Sequence, residues 1–135
     1  MKYLHKAIFG LLILFFSQTL IALESVSSPD GNIVFSVSSN DKKWLVYSVK
    51  LKDETVIAES RLGLRFKEQE GLDSGFEIQQ TGRTRVNDTW EQPWGERRRV
   101  SDHHNEMLVH LQDEAQRRLD LRIRVFDDGI GFRYE

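Results

Sequence analysis

The stretch from residue 118 to 125 alternates apolar and charged residues without a break, and this pattern strongly restricts how the chain can fold. Leu119, Leu121, Ile123 and Val125 are each separated by one charged residue. Successive side chains of an extended strand point to opposite faces, so the pattern predicts a strand with one packed and one solvent-facing side. Strands of this kind are typical of antiparallel sheets.

Similar alternation recurs after residue 22, where no stretch shows a convincing helical period. The predicted strands cover residues 45–51, 107–111, 118–125, 130–134 and, more weakly, 33–38, 55–58, 62–66 and 76–80. Turn-forming residues separate several of them, at positions 29–31, 40–41, 52–53 and 127–129. Many short strands with frequent turns predict an all-β fold, an antiparallel β-sandwich.

The first 22 residues have the pattern of an export signal. Lys2 and Lys6 precede an apolar run over residues 7–16, and a short stretch then leads to Ala22, the expected last residue removed. A membrane-spanning helix needs about 20 mostly apolar residues, and Ser17 ends this run well short of that length. We therefore expect a signal peptide over residues 1–22, a domain over 23–135, no stable membrane span after cleavage, and a periplasmic or secreted location.

Charge and cysteine content exclude two other classes. Without residues 1–22 the chain has 17 basic and 21 acidic residues, a net charge of −4. Domains that bind nucleic acids carry a basic stripe, so we expect no nucleic-acid partner. The chain has no cysteine, so it does not belong to the disulfide-stapled class of small exported domains.

The segment from Trp90 to Glu106 shows neither a strand nor a helix period and is predicted to be a long loop. It holds two of the three tryptophans of the chain. Long loops with no secondary structure of their own are usually functional or disordered, and tryptophan argues against disorder. The flat rings of Trp90 and Trp94 suit either sugar stacking or packing in a core or interface. Packing is the preferred interpretation.

Charged residues of the same segment give weaker candidates. His103, His104 and Glu106 are metal-ligand types, but their spacing matches no zinc pattern. Glu91 and Glu96 are a candidate carboxylate pair for glycosidic chemistry, which requires a separation that sequence does not define. We therefore assign no catalytic, cofactor-binding or metal-ligating residue.

Several blocks, in order along the chain, resemble the N-terminal domain of the family 97 glycoside hydrolases. They are residues 27–31 (SSPDG), 60–64 (SRLGL), 90–96 (WEQPWGE), 104–107 (HNEM), 118–121 (RLDL) and 124–135 (RVFDDGIGFRYE). The WEQPWGE block and the final block are the most specific, and together the blocks span nearly all of the chain after the signal.

This resemblance implies a mutarotase-like β-super-sandwich that precedes a (β/α)₈ barrel carrying the catalytic carboxylates. The family's enzymes are exported bacterial α-glucosidases and α-galactosidases that depend on calcium. Their N-terminal sandwich continues beyond the block ending at Glu135, so we expect the sandwich to be incomplete at its C-terminal end and the barrel to be missing. The resemblance implies α-glucosides or α-galactosides and calcium for the parent enzyme, and no cofactor in this chain.

Two functions remain open. In the first, the chain is the non-catalytic N-terminal portion of such a glycosidase and supports the barrel and its pocket, with Trp90, Trp94 and Glu96 as candidates for the junction or the substrate. In the second, it is a free-standing secreted carbohydrate-binding sandwich that uses the two tryptophans as a stacking platform. Hydrolysis by this chain alone is not expected. Poor solubility is expected, because an incomplete sandwich exposes an apolar edge around Phe132 and Tyr134.

Overall fold

The computed structural model describes residues 22–135, which form eight β-strands. The predicted signal peptide lies outside the described residues except for Ala22. The strands are β1 (Leu23–Ser27), β2 (Ile33–Ser39), β3 (Leu45–Leu51), β4 (Glu54–Arg61), β5 (Glu77–Glu91), β6 (Arg99–Gln112), β7 (Arg118–Phe126) and β8 (Gly129–Tyr134). Within residues 22–135 no helix is long and apolar enough to cross a membrane.

The strands form two four-stranded antiparallel sheets, each in chain order. The first sheet is β1-β2-β3-β4 and the second is β5-β6-β7-β8. Each strand therefore pairs with its neighbour in sequence, which needs only short connections. The tightest connections include Lys52 and Asp53, whose φ angles of 49° and 70° give the two positive values of a type I′ hairpin turn. The predicted antiparallel β-sandwich is confirmed.

The core lies between the inward faces of the two sheets. β7 contributes the predicted alternation, with Leu121, Ile123 and Val125 fully buried. β6 contributes Met107 and Val109, which are also fully buried. Burying one such side chain contributes about 1.5–3 kcal/mol, so these two central strands of the second sheet carry much of the stability.

Aromatic side chains connect the two sheets on the side of β8. Phe35 of β2 stacks on Tyr47 of β3 with ring centroids 5.4 Å apart. Phe132 of β8 packs on both, at 6.0 Å from Phe35 and 5.6 Å from Tyr47. The Tyr134 hydroxyl accepts a hydrogen bond of 2.9 Å from the Gly63 amide, just beyond β4. β8 is thus fixed to the first sheet by three aromatic rings and one hydrogen bond.

The structure corrects three expectations about strands. Residues 62–66 were predicted as a strand, but they form none: Leu62 donates one hydrogen bond to the Leu45 carbonyl, and Leu64 forms an isolated bridge with Leu72. β1 was not predicted, because only Val26 of its five residues is buried. The segment from Trp90 to Glu106 is not a long loop, because β5 continues to Glu91 and β6 begins at Arg99.

The parts of β5 and β6 that were predicted as a loop form a two-stranded ribbon that extends away from the core. β5 has 15 residues, none of them buried. A strand with solvent on both faces has no reason to alternate apolar with polar residues, so the periodicity that finds the core strands is absent here. β5 pairs with β6 from Glu77 with Gln112 to Glu91 with Arg99; the part of β6 before Asn105 has no second partner strand, and only its pairing with β5 identifies it.

Substitution of Ile123 tests the position of the core. We expect Ile123→Ala to lower the free energy of unfolding by about 2–5 kcal/mol, because it leaves a cavity between the sheets. Val56→Ala is the matched control: Val56 is 56% exposed on β4, and we expect a change within about 0.5 kcal/mol. Urea unfolding of the purified chain measures both. Equal losses for the two variants would contradict this placement of the core.

Candidate functional site

The tip of the β5–β6 ribbon carries the three residues predicted as junction or substrate candidates. A seven-residue connection over 92–98 links Glu91 to Arg99. The Gln92 amide donates to the Arg98 carbonyl at 2.8 Å, and Gly95 has a φ of 109° that other residues rarely adopt. The structure therefore brings Trp90, Trp94 and Glu96 to one end of the molecule.

The two tryptophans at this tip belong to no core. Trp90 is 45% exposed and Trp94 is 80% exposed. Of the two packing roles considered for them, burial in this domain's core is therefore excluded, and an interface or a ligand remains. Trp90 lies opposite Val100 in the pairing and shares its ribbon face with Val86, two pleats away. The Asp88–Asp102 pair lies between them on that face, so Trp90 and Val100 form a small apolar patch at the end of the ribbon.

The third tryptophan is unsuited to stacking on a sugar. The Arg61 guanidinium lies 3.8 Å from the centroid of the Trp44 ring, and the Lys42 ammonium lies 4.9 Å from it. Cations at these distances are attracted to the ring face. Trp90 and Trp94 are accordingly the tryptophans whose rings are not covered by a cation.

The candidate carboxylates of the tip are exposed. Glu91 lies within ion-pair distance of two arginines, 3.2 Å from Arg98 and 3.9 Å from Arg99. Glu96 is exposed in the connection between the strands. In water such pairs contribute about 0–1 kcal/mol each. The tip therefore provides solvated charge around the indoles and no enclosed pocket of its own.

His103 and His104 point to opposite faces of β6, as expected for neighbours on a strand. His104 is 1% exposed, and its Nδ1 lies 2.5 Å from Asp102 Oδ1. Its ring packs on Phe126 at 4.8 Å, and its Nε2 is buried with no protein partner. Within residues 22–135 no three His, Asp or Glu side chains are arranged to hold a metal ion. His104 therefore acts as a buried side chain held by one carboxylate.

Sequence reasoning missed an ion-pair network on the outer face of the second sheet. Glu106 accepts hydrogen bonds from Arg122 at 2.5 Å and Arg124 at 2.8 Å. Glu135 accepts from Arg122 at 2.8 Å and from Arg133 at 2.7 Å. The network runs across β6, β7 and β8. The charged residues that alternate with the apolar ones of β7 are visible in the sequence. Which of them meet a partner on β6 or β8 depends on the register of the strands, which the sequence pattern does not give.

The network shifts the pKa of both carboxyl groups. Burial acts to raise the pKa of Glu106, but the hydrogen bonds from Arg124 and Arg122 outweigh burial and hold it below its usual value. Hydrogen bonds from Arg122 and Arg133 lower the pKa of Glu135 to about 2. The same contacts raise the pKa of Arg122. All three groups therefore stay charged at neutral pH.

The lowered pKa values make stability depend on pH in a defined direction. A carboxyl group with a lower pKa in the folded state stabilises that state above its unfolded pKa, and the contribution is lost as pH falls toward the folded pKa. We expect the free energy of unfolding to fall between about pH 5 and pH 2. Glu106→Gln should cost about 1–3 kcal/mol at pH 7 and flatten this dependence.

Thermal unfolding between pH 2 and pH 8 measures the effect. Glu68→Gln, in the exposed connection between β4 and β5, is the matched control and should leave the pH profile unchanged. An equally steep acid loss in Glu106→Gln and the unchanged chain would show that the network does not produce it.

Comparison with known proteins identifies the family. The family described as Glycosyl-hydrolase 97 N-terminal matches residues 26–135. Solved structures of a glycoside hydrolase family 97 enzyme from Pseudoalteromonas sp. strain K8, one in complex with panose and one with acarbose, are each 39% identical to this chain. Each superposes with a TM-score of 0.76 over 83% of this chain, which is 17% of the enzyme chain.

A more distant structure shows the fold alone. A β-arabinopyranosidase is 22% identical, with a TM-score of 0.74, over 82% of this chain and 18% of its own. In all three comparisons the chain spans less than a fifth of the other protein's length. The order of the matching blocks, the two-sheet fold and the family match agree. The chain belongs to glycoside hydrolase family 97 and corresponds to the N-terminal, non-catalytic domain of its enzymes.

Proposed function

We propose that this chain supports the catalytic barrel of an exported α-glycosidase and shapes the wall of its pocket through the β5–β6 ribbon. The observation that carries the proposal is the ribbon itself: β5 has no buried residue, and Trp90 and Trp94 stand exposed at its end. An isolated two-stranded ribbon is at best marginally stable in water. A surface that covers one of its faces would supply the packing that this domain does not.

The two faces of the ribbon differ in what they contact, and this indicates where that surface lies. Trp90 and Val100 pair at the outer end of one side, next to the Asp88–Asp102 pair, whereas the other side carries Arg83 and Arg85. Arg83 binds back to the domain, with its Nη2 2.6 Å from Glu24 and its Nε donating to the Ser25 carbonyl. The basic side is thus attached to β1, which leaves the side with Trp90 as the face for the barrel.

The substrate class rests on relatives. The Pseudoalteromonas enzyme is known in complex with panose and with acarbose, which supports carbohydrate as the partner of the longer protein. We propose α-glucosides or α-galactosides as its substrates. They would bind in the barrel and contact this domain only at the ribbon tip, at Trp90, Trp94 or Glu96. Export by a signal peptide over residues 1–22, to the periplasm or beyond, is part of the same proposal.

Calcium is proposed for the parent enzyme and not for this domain by itself. Within residues 22–135 no group of three His, Asp or Glu side chains is arranged to hold a metal ion, and we assign no calcium ligand to them. The calcium ligands would come mainly from the rest of the longer enzyme. The role proposed for the ribbon does not depend on the ion.

Domain exchange tests the proposal. Residues 26–135 replace the matched segment of the Pseudoalteromonas enzyme, and hydrolysis of panose is measured. We expect the chimera to keep kcat/KM within about tenfold of the parent, and this chain alone to be inactive. A folded but inactive chimera, or hydrolysis by the isolated chain, would contradict the proposal.

The same chimera tests the ribbon. We expect Trp90→Ala together with Trp94→Ala to lower kcat/KM for panose at least tenfold, about 1.4 kcal/mol of transition-state stabilisation. Phe66→Ala is the matched control, because Phe66 is an aromatic residue 46% exposed in a loop outside the ribbon. It should leave kcat/KM unchanged. Equal effects of the tryptophan and Phe66 variants would exclude a specific role for the ribbon.

The exposure of both indoles also favours a second candidate function, a free-standing carbohydrate-binding module. Titration calorimetry of the isolated chain with maltooligosaccharides and with melibiose distinguishes the two. A stacking platform should release heat at millimolar sugar, and Trp94→Ala should abolish it with the fold intact. We expect no heat, because the tip has no pocket around the rings.

A further inference from the structure

The base of the β5–β6 ribbon is tied to the free edge of β1. The Ser28 amide donates to the Ile33 carbonyl of β2 at 2.8 Å. Backbone groups of an antiparallel strand face its partner at every second residue, so the backbone groups of Ser25 and Ser27 face away from β2. The carbonyls of these two residues lie on the free edge of β1, and each accepts a hydrogen bond from a side chain of the second sheet.

The two donors lie on one face of the ribbon base. Arg83 Nε donates to the Ser25 carbonyl at 3.1 Å, and Asn105 Nδ2 donates to the Ser27 carbonyl at 2.8 Å. Asn105 pairs with Arg85, two residues from Arg83, so the donors are diagonal neighbours on that face. Their separation along the ribbon thus matches the two-residue separation of the acceptors on β1. The match fixes the register of β1 against the ribbon base.

The gap that these side chains cross is not closed by apolar packing. A hollow of about 580 Å³ lies between β1 and the ribbon base, and most of the residues that line it are polar. Arg83 makes a second contact across the gap, because its Nη2 lies 2.6 Å from the Glu24 carboxylate. Hydrogen bonds weaken steeply when their distance or angle changes. These three polar contacts therefore define the angle between β1 and the ribbon.

His104 holds the opposite face of the ribbon base. Neighbouring residues of a strand point to opposite sides, so the side chain of His104 points away from that of Asn105. Its ring lies 4.8 Å from the ring of Phe126, the last residue of β7, and its Nδ1 lies 2.5 Å from Asp102 Oδ1. Asn105 is the first residue of β6 that pairs with β7. Both faces of β6 are thus held at the point where the strand leaves the sheet.

A change of angle at this point is amplified at the ribbon tip. At about 3.3 Å per residue, the strand from Asn105 back to Arg99 is about 20 Å long. A tilt of about 10° at its base would therefore displace the tip by about 3 Å. A misplacement of about 1 Å can cost about 100-fold in the rate of an enzyme, so the direction of the ribbon matters for any group that its tip presents.

We propose that Arg83, Asn105 and His104 form a clasp that sets the direction of the ribbon, and that the three are positioning residues of the longer enzyme. This inference rests on the proposed function, in which the ribbon forms part of the pocket wall. The clasp orients the ribbon base within this domain, whereas the remainder of the enzyme orders the tip. The three side chains act through Trp90 and Trp94 and do not contact substrate themselves.

Residual dipolar couplings of the backbone amides in the purified chain test the clasp. In the unchanged chain, the couplings of residues 84–88 and 101–104 should fit the alignment frame defined by β2 and β7. Asn105→Asp keeps the size of the side chain, removes the Nδ2 donor and places a carboxylate beside the Ser27 carbonyl. We expect its ribbon couplings to show a tilt of at least about 10° from that frame, or to lose half their magnitude, while the core couplings stay unchanged.

Matched variants keep this test decisive. Asn87→Asp makes the same change at an exposed position on the same ribbon face, and it should leave all couplings unchanged. Glu24→Gln weakens the Arg83 contact from the β1 side and leaves the ribbon sequence intact, so it decides the case if Asn105→Asp does not fold. His104→Ala should tilt the ribbon from the opposite face. Ribbon couplings that fit the core frame in all three clasp variants would overturn the proposal, as would an equal tilt in Asn87→Asp.

Activity of the chimera with the Pseudoalteromonas enzyme measures the consequence. We expect Asn105→Asp to lower kcat/KM for panose at least about tenfold and Asn87→Asp to leave it unchanged. An inactive chimera without either substitution counts against the proposed function alone. In an active chimera, a tilted ribbon with unchanged kcat/KM would contradict the positioning role, and a loss of activity without a tilt would contradict the clasp.

Discussion

The packing of β2 against β7, with the apolar face of one sheet on that of the other, is the contact on which the rest of the structure depends. Phe35 and Val37 on one side, and Leu121 and Ile123 on the other, are all fully buried. Because each sheet is a simple meander with only one apolar face, neither has a core without the other. The strands farthest from this contact, β4 and β5, bury almost nothing.

Because burial differs between the strands, the domain has two kinds of surface. Where the sheets overlap, inward residues form the core. Outward residues such as Glu106 and Arg122 form a charged network on the solvent-facing side of the second sheet. Away from this contact, the ribbon presents the indoles of Trp90 and Trp94 to solvent. Surfaces of the second kind are costly to leave in water. Under the function proposed above, the ribbon is where the remainder of the enzyme would bind.

The core could be read from sequence and the candidate site could not, for one physical reason. Alternation appears wherever one face of a strand is buried, so residues 119–125 identified β7 and its inward face correctly. The outer part of the ribbon, residues 86–91 and 99–103, faces solvent on both sides and carries no period, and its charged and aromatic composition suggested a loop. The Glu106 network depends on which residues lie opposite each other in three strands, and local patterns do not determine register. The family resemblance, carried by the WEQPWGE and final blocks, was confirmed, although the roles of Trp90, Trp94 and Glu96 stay predictions.

The central claim is that a self-sufficient core carries a ribbon stabilised only from outside. Backbone ¹⁵N relaxation of the purified chain tests it directly. We expect order parameters of about 0.85 throughout β2, β6 beyond residue 104, and β7, and a fall below about 0.6 toward the ribbon tip around Trp94. A ribbon as rigid as the core in the isolated chain would contradict the claim, because its order would then need no partner.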